Sequence, residues 1–172
     1  MSWTEEKVSK LKELWGKGNT ARQIAEIIGG LSRNAVIGKS FRLNLSAKIK
    51  NRSQTYKKID EMLNSNEWKE KLEFTYIGNL PSNFEFQNVR MLKPLSEEEL
   101  GEELKKYDIY ITGSINEPSG NHHIEAAQCG LPIMFIKSGG ITEYCRDYGL
   151  EFNLENLEEK LDYFINNYDQ YK

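Results

Sequence analysis

Residues 20–43 read TARQIAEIIGGLSRNAVIGKSFRL and decide the fold of the first part of the chain. Thr20, followed three residues later by Gln23, forms a capping box that begins a helix. The Gly-Gly pair after the isoleucines ends this helix and supplies a tight turn. Ser32 then caps a second helix, which carries basic residues. A helix, a tight turn and a capped basic helix are typical of a helix-turn-helix.

Another helix is predicted to precede this motif. Thr4 can cap it, and apolar residues then recur at helical spacing as far as Trp15. The last helix of the motif runs from Arg33 to about Leu43. Three of its apolar residues are predicted to face inward: Val36, Ile37 and Phe41. The sequence therefore predicts a small three-helix unit.

The last of these helices carries side chains that can recognise DNA. Arg33 and Asn34 lie in its first turn, and arginine can pair bidentately with guanine, asparagine with adenine. Lys39 and Arg42 lie further along, where contact with phosphates is expected. The alternative is a solvated basic face on a small helical bundle. The arrangement as a whole favours DNA binding.

Charge divides the chain at the same place. Residues 1–52 contain eleven Lys or Arg and four acidic residues, a balance of +7. Residues 53–172 contain twelve basic and twenty-two acidic residues, a balance of −10. A basic segment suits a polyanion such as DNA, whereas an acidic one does not. We therefore predict a helix-turn-helix domain at 1–47, a linker at 48–55 and a separate domain at 56–172.

The second domain alternates between predicted helices and strands. Four short apolar runs are predicted as strands: Glu73–Ile77, Val89–Leu92, Asp108–Thr112 and Pro132–Ile136. Helices are predicted before the first strand, between the later strands (96–106 and 121–129), and from about residue 154 to 166. Strands separated by helices indicate a parallel, doubly wound, Rossmann-like sheet. The predicted fold class is thus an all-helical unit followed by an α/β unit.

A ligand site is predicted after the strand that ends at Thr112, because such sheets bind ligands at the carboxyl ends of their strands. Glu117 and Glu125 bracket this loop and the start of a helix. Gly120 lets backbone approach a ligand, Asn121 and His122 begin the helix, and its exposed amides favour a phosphate. Glu125 could accept both hydroxyls of a ribose. The alternative is that both carboxylates are solvated helix charges.

Neither the histidines nor the cysteines predict a metal site. His122 and His123 are adjacent, so on a helix they point about 100 degrees apart. Cys129 and Cys145 have neither metal-binding spacing nor the pattern of a disulfide framework. The start of the chain is polar and acidic, and no apolar run reaches the roughly 20 residues of a membrane span. A cytoplasmic location is expected.

The first domain resembles the DNA-binding domain of the GcrA cell-cycle regulators. The resemblance rests on MSWTEE at 1–6, QIA at 23–25, SRNAVIGK at 32–39, RL at 42–43 and LS at 45–46. It implies a transcription factor that prefers adenine-methylated GANTC sites and works with the housekeeping sigma factor. The implied DNA contacts are Arg33, Asn34, Lys39 and Arg42.

Three details of this resemblance affect what it implies for this chain. Val36 and Ile37 are candidates for sensing an added methyl group, with core packing as the alternative for both. Ser40-Phe41 departs from the family, which usually has a histidine before Arg42. Nothing after residue 50 resembles the sigma-binding tail of the family.

The second domain resembles the C-terminal lobe of GT-B glycosyltransferases of the group 1 type, over roughly residues 56–164. The resemblance rests on EPSGNHHIE at 117–125, AAQCGLP at 126–132 and GGITE at 139–143. It implies that Glu125 holds the ribose of a UDP- or GDP-sugar donor and that Glu117 lies near the sugar as the catalytic candidate. It also implies that Gly120, Asn121 and His122 face the donor phosphates, without a bound metal.

The resemblance also implies an incomplete lobe. Such a lobe usually begins with a strand and a loop that carries a cation for the diphosphate, and the acceptor lobe precedes it. We therefore expect a sheet without its first strand and no independent glycosyl transfer. The leading hypothesis is DNA binding. The alternatives are a glycosyltransferase fragment that is completed by another chain, and a regulator that senses a nucleotide sugar.

Overall fold

The computed structural model describes residues 3–45, 53–80, 84–118 and 120–171. Three helices come first: α1 (Glu5–Leu14), α2 (Ala21–Ile28) and α3 (Arg33–Arg42). The later helices are α4 (Ser53–Met62), α5 (Asn66–Lys71), α6 (Glu97–Leu104), α7 (His122–Gln128), α8 (Thr142–Cys145) and α9 (Leu157–Asn166). The strands are β1 (Thr75–Ile77), β2 (Arg90–Leu92), β3 (Tyr110–Thr112), β4 (Ile133–Ile136) and β5 (Gly149–Phe152). Of the predicted linker, residues 48–52 lie outside the described residues.

The predicted helix caps of the first three helices are present. The backbone N–H of Lys7 donates to Thr4 Oγ1 at 3.3 Å. At α2, Gln23 N donates to Thr20 Oγ1 at 3.2 Å, and Thr20 N donates to Gln23 Oε1 at 2.8 Å. These bonds satisfy backbone donors that a helix start otherwise leaves without partners. The short helices therefore have defined starts.

The three helices enclose a common apolar core. Its buried residues are Leu11, Trp15, Ala21, Ile24, Ala25, Val36 and Leu45. Val36 is completely buried and Ile37 packs against this core, so core packing is the role that the structure gives to both.

The prediction that Phe41 faces inward is wrong, because its side chain is 85% exposed. Helix α3 turns Val36 and Ser40 inward, and Leu45 enters the core after the helix has ended. Ser40 is four residues beyond Val36 and so lies on the same face, which places Phe41 outside. The Ser40 hydroxyl donates to the carbonyl of Ile37 at 2.8 Å, so its burial leaves no unsatisfied donor.

The strands of the second part are parallel and form two sheets. Strand β1 pairs with β2, with Thr75 opposite Arg90. Strand β4 lies between β3 and β5, with Ile133 opposite both Tyr110 and Gly149. Strand β5 was not predicted. The predicted class, a helical unit followed by an incomplete Rossmann-like sheet, is confirmed.

The two sheets are separated by a cleft. No strand pairing joins β1 to β3 within the described ranges, and residues of both strands line a cleft of about 1070 Å³. Tyr56 of α4 reaches across one end of it. Its ring lies 5.3 Å from the ring of Tyr76, and its hydroxyl accepts a bond from Gly113 N at 3.2 Å. The sheets are therefore connected through side chains and a shared apolar core, not through a continuous hydrogen-bonded ladder.

That shared core lies under both sheets. Its buried members are Ile59, Met62, Leu63, Trp68, Val89, Ile111, Met134, Phe152, Leu157, Leu161 and Phe164. They come from α4, α5, α9 and several strands. The carboxyl end of β3, at Thr112, leads directly into the loop that was predicted to bind a ligand.

Candidate DNA interface and nucleotide-sugar site

The exposed face of α3 carries two of the predicted DNA contacts. Ser32 Oγ accepts from Ala35 N at 3.2 Å and fixes where the helix begins. Asn34 and Arg42 are both exposed. They are eight residues apart, slightly more than two turns, and so lie on one side of the helix. This side is free to meet a polyanion.

The other two predicted DNA contacts lie against neighbouring side chains. Arg33 Nε is 4.0 Å from Glu143 Oε2, and its guanidinium carbon is 5.2 Å from the ring centroid of Tyr144. Lys39 Nζ is 5.8 Å from the ring centroid of Trp3. Both cations are therefore held near aromatic rings of the protein, and the structure does not bring all four predicted contacts onto one open face.

The loop after β3 is organised around His122. Tyr110 Oη lies 3.1 Å from His122 Nδ1, and Ser114 Oγ lies 3.3 Å from His122 Nε2. Glu117 Oε2 is 3.7 Å from the same Nε2 atom. A Cβ atom added to Gly120 would lie only 2.8 Å from His122 Nε2. A side chain at position 120 would therefore force His122 to shift within this polar cluster.

The two predicted carboxylates have different environments. Glu117 is buried, with 7% of its surface exposed, whereas Glu125 is exposed one turn inside α7. Glu125, His122 and Ser114 line the cleft between the sheets. Asn121 is exposed at the start of α7. The structure therefore places Glu125 and His122 where a ligand in the cleft could meet them, and it places Glu117 behind His122.

His123, which follows His122, is buried in a way that the sequence did not predict. It is 2% exposed, and both ring nitrogens lack a hydrogen-bond partner among the described residues. Its ring centroid lies 5.1 Å from that of His122 and 5.2 Å from that of Tyr144. Burial, together with the neighbouring His122, lowers the pKa of His123 from 6.5 to about 4, although Glu117 opposes this shift. His123 is therefore neutral at physiological pH.

The helix-turn-helix contacts the loop that carries these residues. Ala21 N, at the start of α2, donates to the carbonyl of Pro118 at 3.3 Å. The backbone of Glu117 also accepts a bond from Gly140 N at 2.9 Å, two residues before α8, which carries Glu143. The contact of Arg33 with Glu143 lies at the same interface. Two regions that looked unrelated in sequence thus share a small polar interface.

Comparison with known families agrees with both resemblances. A family described as GcrA cell cycle regulator matches residues 1–107, and one described as Glycosyl transferases group 1 matches residues 79–172. The chain belongs to both families. The GcrA match extends beyond residues 1–47, where the resemblance described above lies, and the two matches overlap. Neither the curated proteins nor the solved structures contain a match.

The described part of the chain contains neither a metal-binding cluster nor a membrane-spanning helix. No group of three or more His, Cys, Asp or Glu side chains there is placed to hold a metal ion. No helix there is long and apolar enough to cross a bilayer.

Proposed function

We propose that this GcrA-family chain is a sequence-specific DNA-binding protein that places α3 in a major groove. The observation that carries the proposal is the open face of α3, which presents Asn34 and Arg42 on a capped, basic helix. Recognition helices of this kind contact base edges with their N-terminal residues. The excess of basic residues in this part of the chain supplies the attraction to phosphates.

Each predicted contact has a role in this proposal. Asn34 pairs with an adenine, and Arg42 and Lys39 contact phosphates. Arg33 pairs with a guanine after it leaves Glu143, at a modest cost because exposed ion pairs are worth about 0.2–1 kcal/mol. The duplex expected from the family is GANTC with methylated adenine. Contact with a sigma factor remains a prediction.

The test is binding of the whole chain to a GANTC duplex, methylated and unmethylated, over a series of salt concentrations. Affinity should fall steeply with salt, because phosphate contacts release counterions. Asn34→Ala should weaken binding by about 1–3 kcal/mol, the usual worth of a bidentate base contact. Asn166→Ala, which removes an exposed asparagine from α9, is the matched control and should bind as the unsubstituted chain does. Equal binding by both variants would contradict the proposal.

A second candidate function is supported by the polar interface of α2 with the loop that carries Glu117. A nucleotide sugar in the cleft, with its ribose on Glu125 and its phosphates near Gly120–His122, would contact the loop whose Pro118 carbonyl accepts the bond from Ala21 N. Binding there would then alter the affinity for DNA, and DNA would alter the affinity for the sugar nucleotide by the same factor. Titration with UDP-glucose and GDP-mannose, with and without duplex, tests this coupling.

A glycosyltransferase fragment remains the enzymatic alternative. Glu117 is the catalytic candidate by resemblance, but the structure holds it at 7% exposure beside His122. We infer that transfer would need another chain to supply an acceptor lobe. Transfer of a radiolabelled sugar by the purified chain alone would contradict this inference.

A further inference from the structure

Phe41 is a large apolar side chain that the fold does not use. It is 85% exposed on α3, and it is not part of the apolar core that the three helices enclose. Leaving a phenylalanine in water forgoes the stabilisation that its burial would give. Single exposed apolar residues are common on protein surfaces. Phe41, however, lies on the helix that is proposed to enter the major groove, where an exposed apolar side chain can contact DNA.

Phe41 shares its face of α3 with Asn34. The two residues are seven positions apart, which is close to two turns, and Gly38 lies between them at four positions from Asn34. At 1.5 Å per residue the two side chains are about 10 Å apart along the helix. That distance spans about three base steps of 3.4 Å on one strand. Both side chains can therefore reach the same stretch of groove.

Gly38 supports the same assignment. A glycine inside a helix is unfavourable relative to alanine. No contact within the protein explains its presence, since the nearest atom to an added Cβ would be Arg42 Nη1 at 3.7 Å. The missing side chain leaves a shallow gap between Asn34 and Phe41. A base edge could approach the helix closely at this gap.

We propose that Phe41 contacts a methyl group in the major groove, within about three base steps of the base that Asn34 reads. This inference rests on the proposed DNA-binding function and adds a specificity residue to it. Apolar contact with a base methyl is an established way in which phenylalanine reads DNA. The methyl group has two sources in a GANTC site: C5 of thymine and N6 of a methylated adenine. Val36 is buried and Ile37 packs against the core, so among the large apolar side chains of α3 Phe41 is the one that is exposed to either source.

The experiment measures the affinity of the full chain for four duplexes. They combine thymine or deoxyuridine with adenine or N6-methyladenine, in otherwise identical GANTC sequences. Burial of one methyl group is expected to change affinity by about fourfold. The unsubstituted chain should show this roughly fourfold preference for one of the two methyl groups. The pair of duplexes that shows it identifies whether Phe41 contacts the thymine methyl or the adenine N6-methyl. Phe41→Ser should lose the preference for that one methyl group, and Phe41→Leu should retain part of it.

The controls separate this assignment from the function on which it rests. Tyr148→Ser removes another exposed aromatic side chain, from the loop before β5, and should leave the preference unchanged. Circular dichroism checks that each variant is folded, which the exposure of Phe41 favours. If Phe41→Ser keeps the full preference, the assignment is overturned while DNA binding stands. If the unsubstituted chain shows no salt-sensitive binding to any duplex, the proposed function and this assignment both fall.

Discussion

The helix-turn-helix and the strand-containing part of the chain close their cores in different ways. In the first, three capped helices surround a single cluster of buried residues that lie close together in sequence. In the second, strands of three or four residues form two sheets, and their shared core collects residues from Ile59 to Phe164. The first unit is therefore held by local contacts, whereas the second depends on contacts between distant segments.

This difference affects which side chains of each unit are available to bind a ligand. A unit with a complete core can leave one face of a helix free, and α3 does so with Asn34, Phe41 and Arg42. In the second unit His122 is surrounded by Tyr110, Ser114 and Glu117, whereas Glu125 is exposed on the cleft.

The largest expected effect is on stability, and it tests whether the apolar core of the three-helix unit is centred on Ile24. Ile24 is completely buried, so Ile24→Ala should destabilise the helix-turn-helix by about 2–5 kcal/mol and abolish DNA binding. Ile27→Ala makes the same chemical change on the same helix at a side chain that is 46% exposed, and should cost much less. Urea unfolding followed by tryptophan fluorescence measures both. Similar losses for the two variants would show that the core is not centred on Ile24.

The second effect concerns the pH dependence of the other unit. Burial holds the pKa of His123 at about 4, below its value of 6.5 in the unfolded chain. Between these values the unfolded state binds a proton that the folded state does not, so stability should fall as pH falls from about 6.5 to about 4. Below that window the group causes no further loss.

The variant His123→Phe isolates this contribution, because it fills similar space with a group that does not titrate. Its urea midpoint should change less between pH 7 and pH 4.5 than that of the unsubstituted chain. The comparison also cancels the titration of carboxylates elsewhere, provided that these are unaffected. An unchanged pH dependence would mean that His123 is not buried as a neutral group.

The smallest effect tests the interface between the two units. Glu143→Gln removes the negative charge beside Arg33, whose side chain is 34% exposed, so DNA affinity should rise by a factor of about five or less. Glu151→Gln is the matched control, because Glu151 is an exposed glutamate that pairs with Lys137 instead. Fluorescence anisotropy with a labelled duplex measures both. An equal rise for the two variants would assign the effect to net charge alone.

Local signals in the sequence predicted the first unit well, and the exceptions have physical reasons. Thr20, Gln23 and Ser32 act through neighbours three residues away, so their bonds can be read from the chain. Phe41 lies four residues after Ile37, and this spacing suggested an inward face. Which side of α3 faces the core was decided by Val36 and Ser40 and by the return of the chain at Leu45, which periodicity alone cannot show.

The second unit was predicted less completely, because its contacts are remote. Strand β5 is a four-residue segment, GLEF, that becomes a strand through pairing with β4. His123 looked like half of an adjacent histidine pair, and only the fold shows that its ring is buried beside Tyr144. The bond from Ala21 to Pro118 joins residues 97 positions apart, and no local pattern predicts it.

The cleft between the two sheets also has a consequence for how the chain unfolds. Without a ladder between β1 and β3 in the described residues, opening of one sheet does not have to break backbone bonds of the other. The two sheets are connected through the shared apolar core and through Tyr56. Amide hydrogen exchange should therefore report at least two protection levels in this unit, with β4 the slowest because it is the central strand.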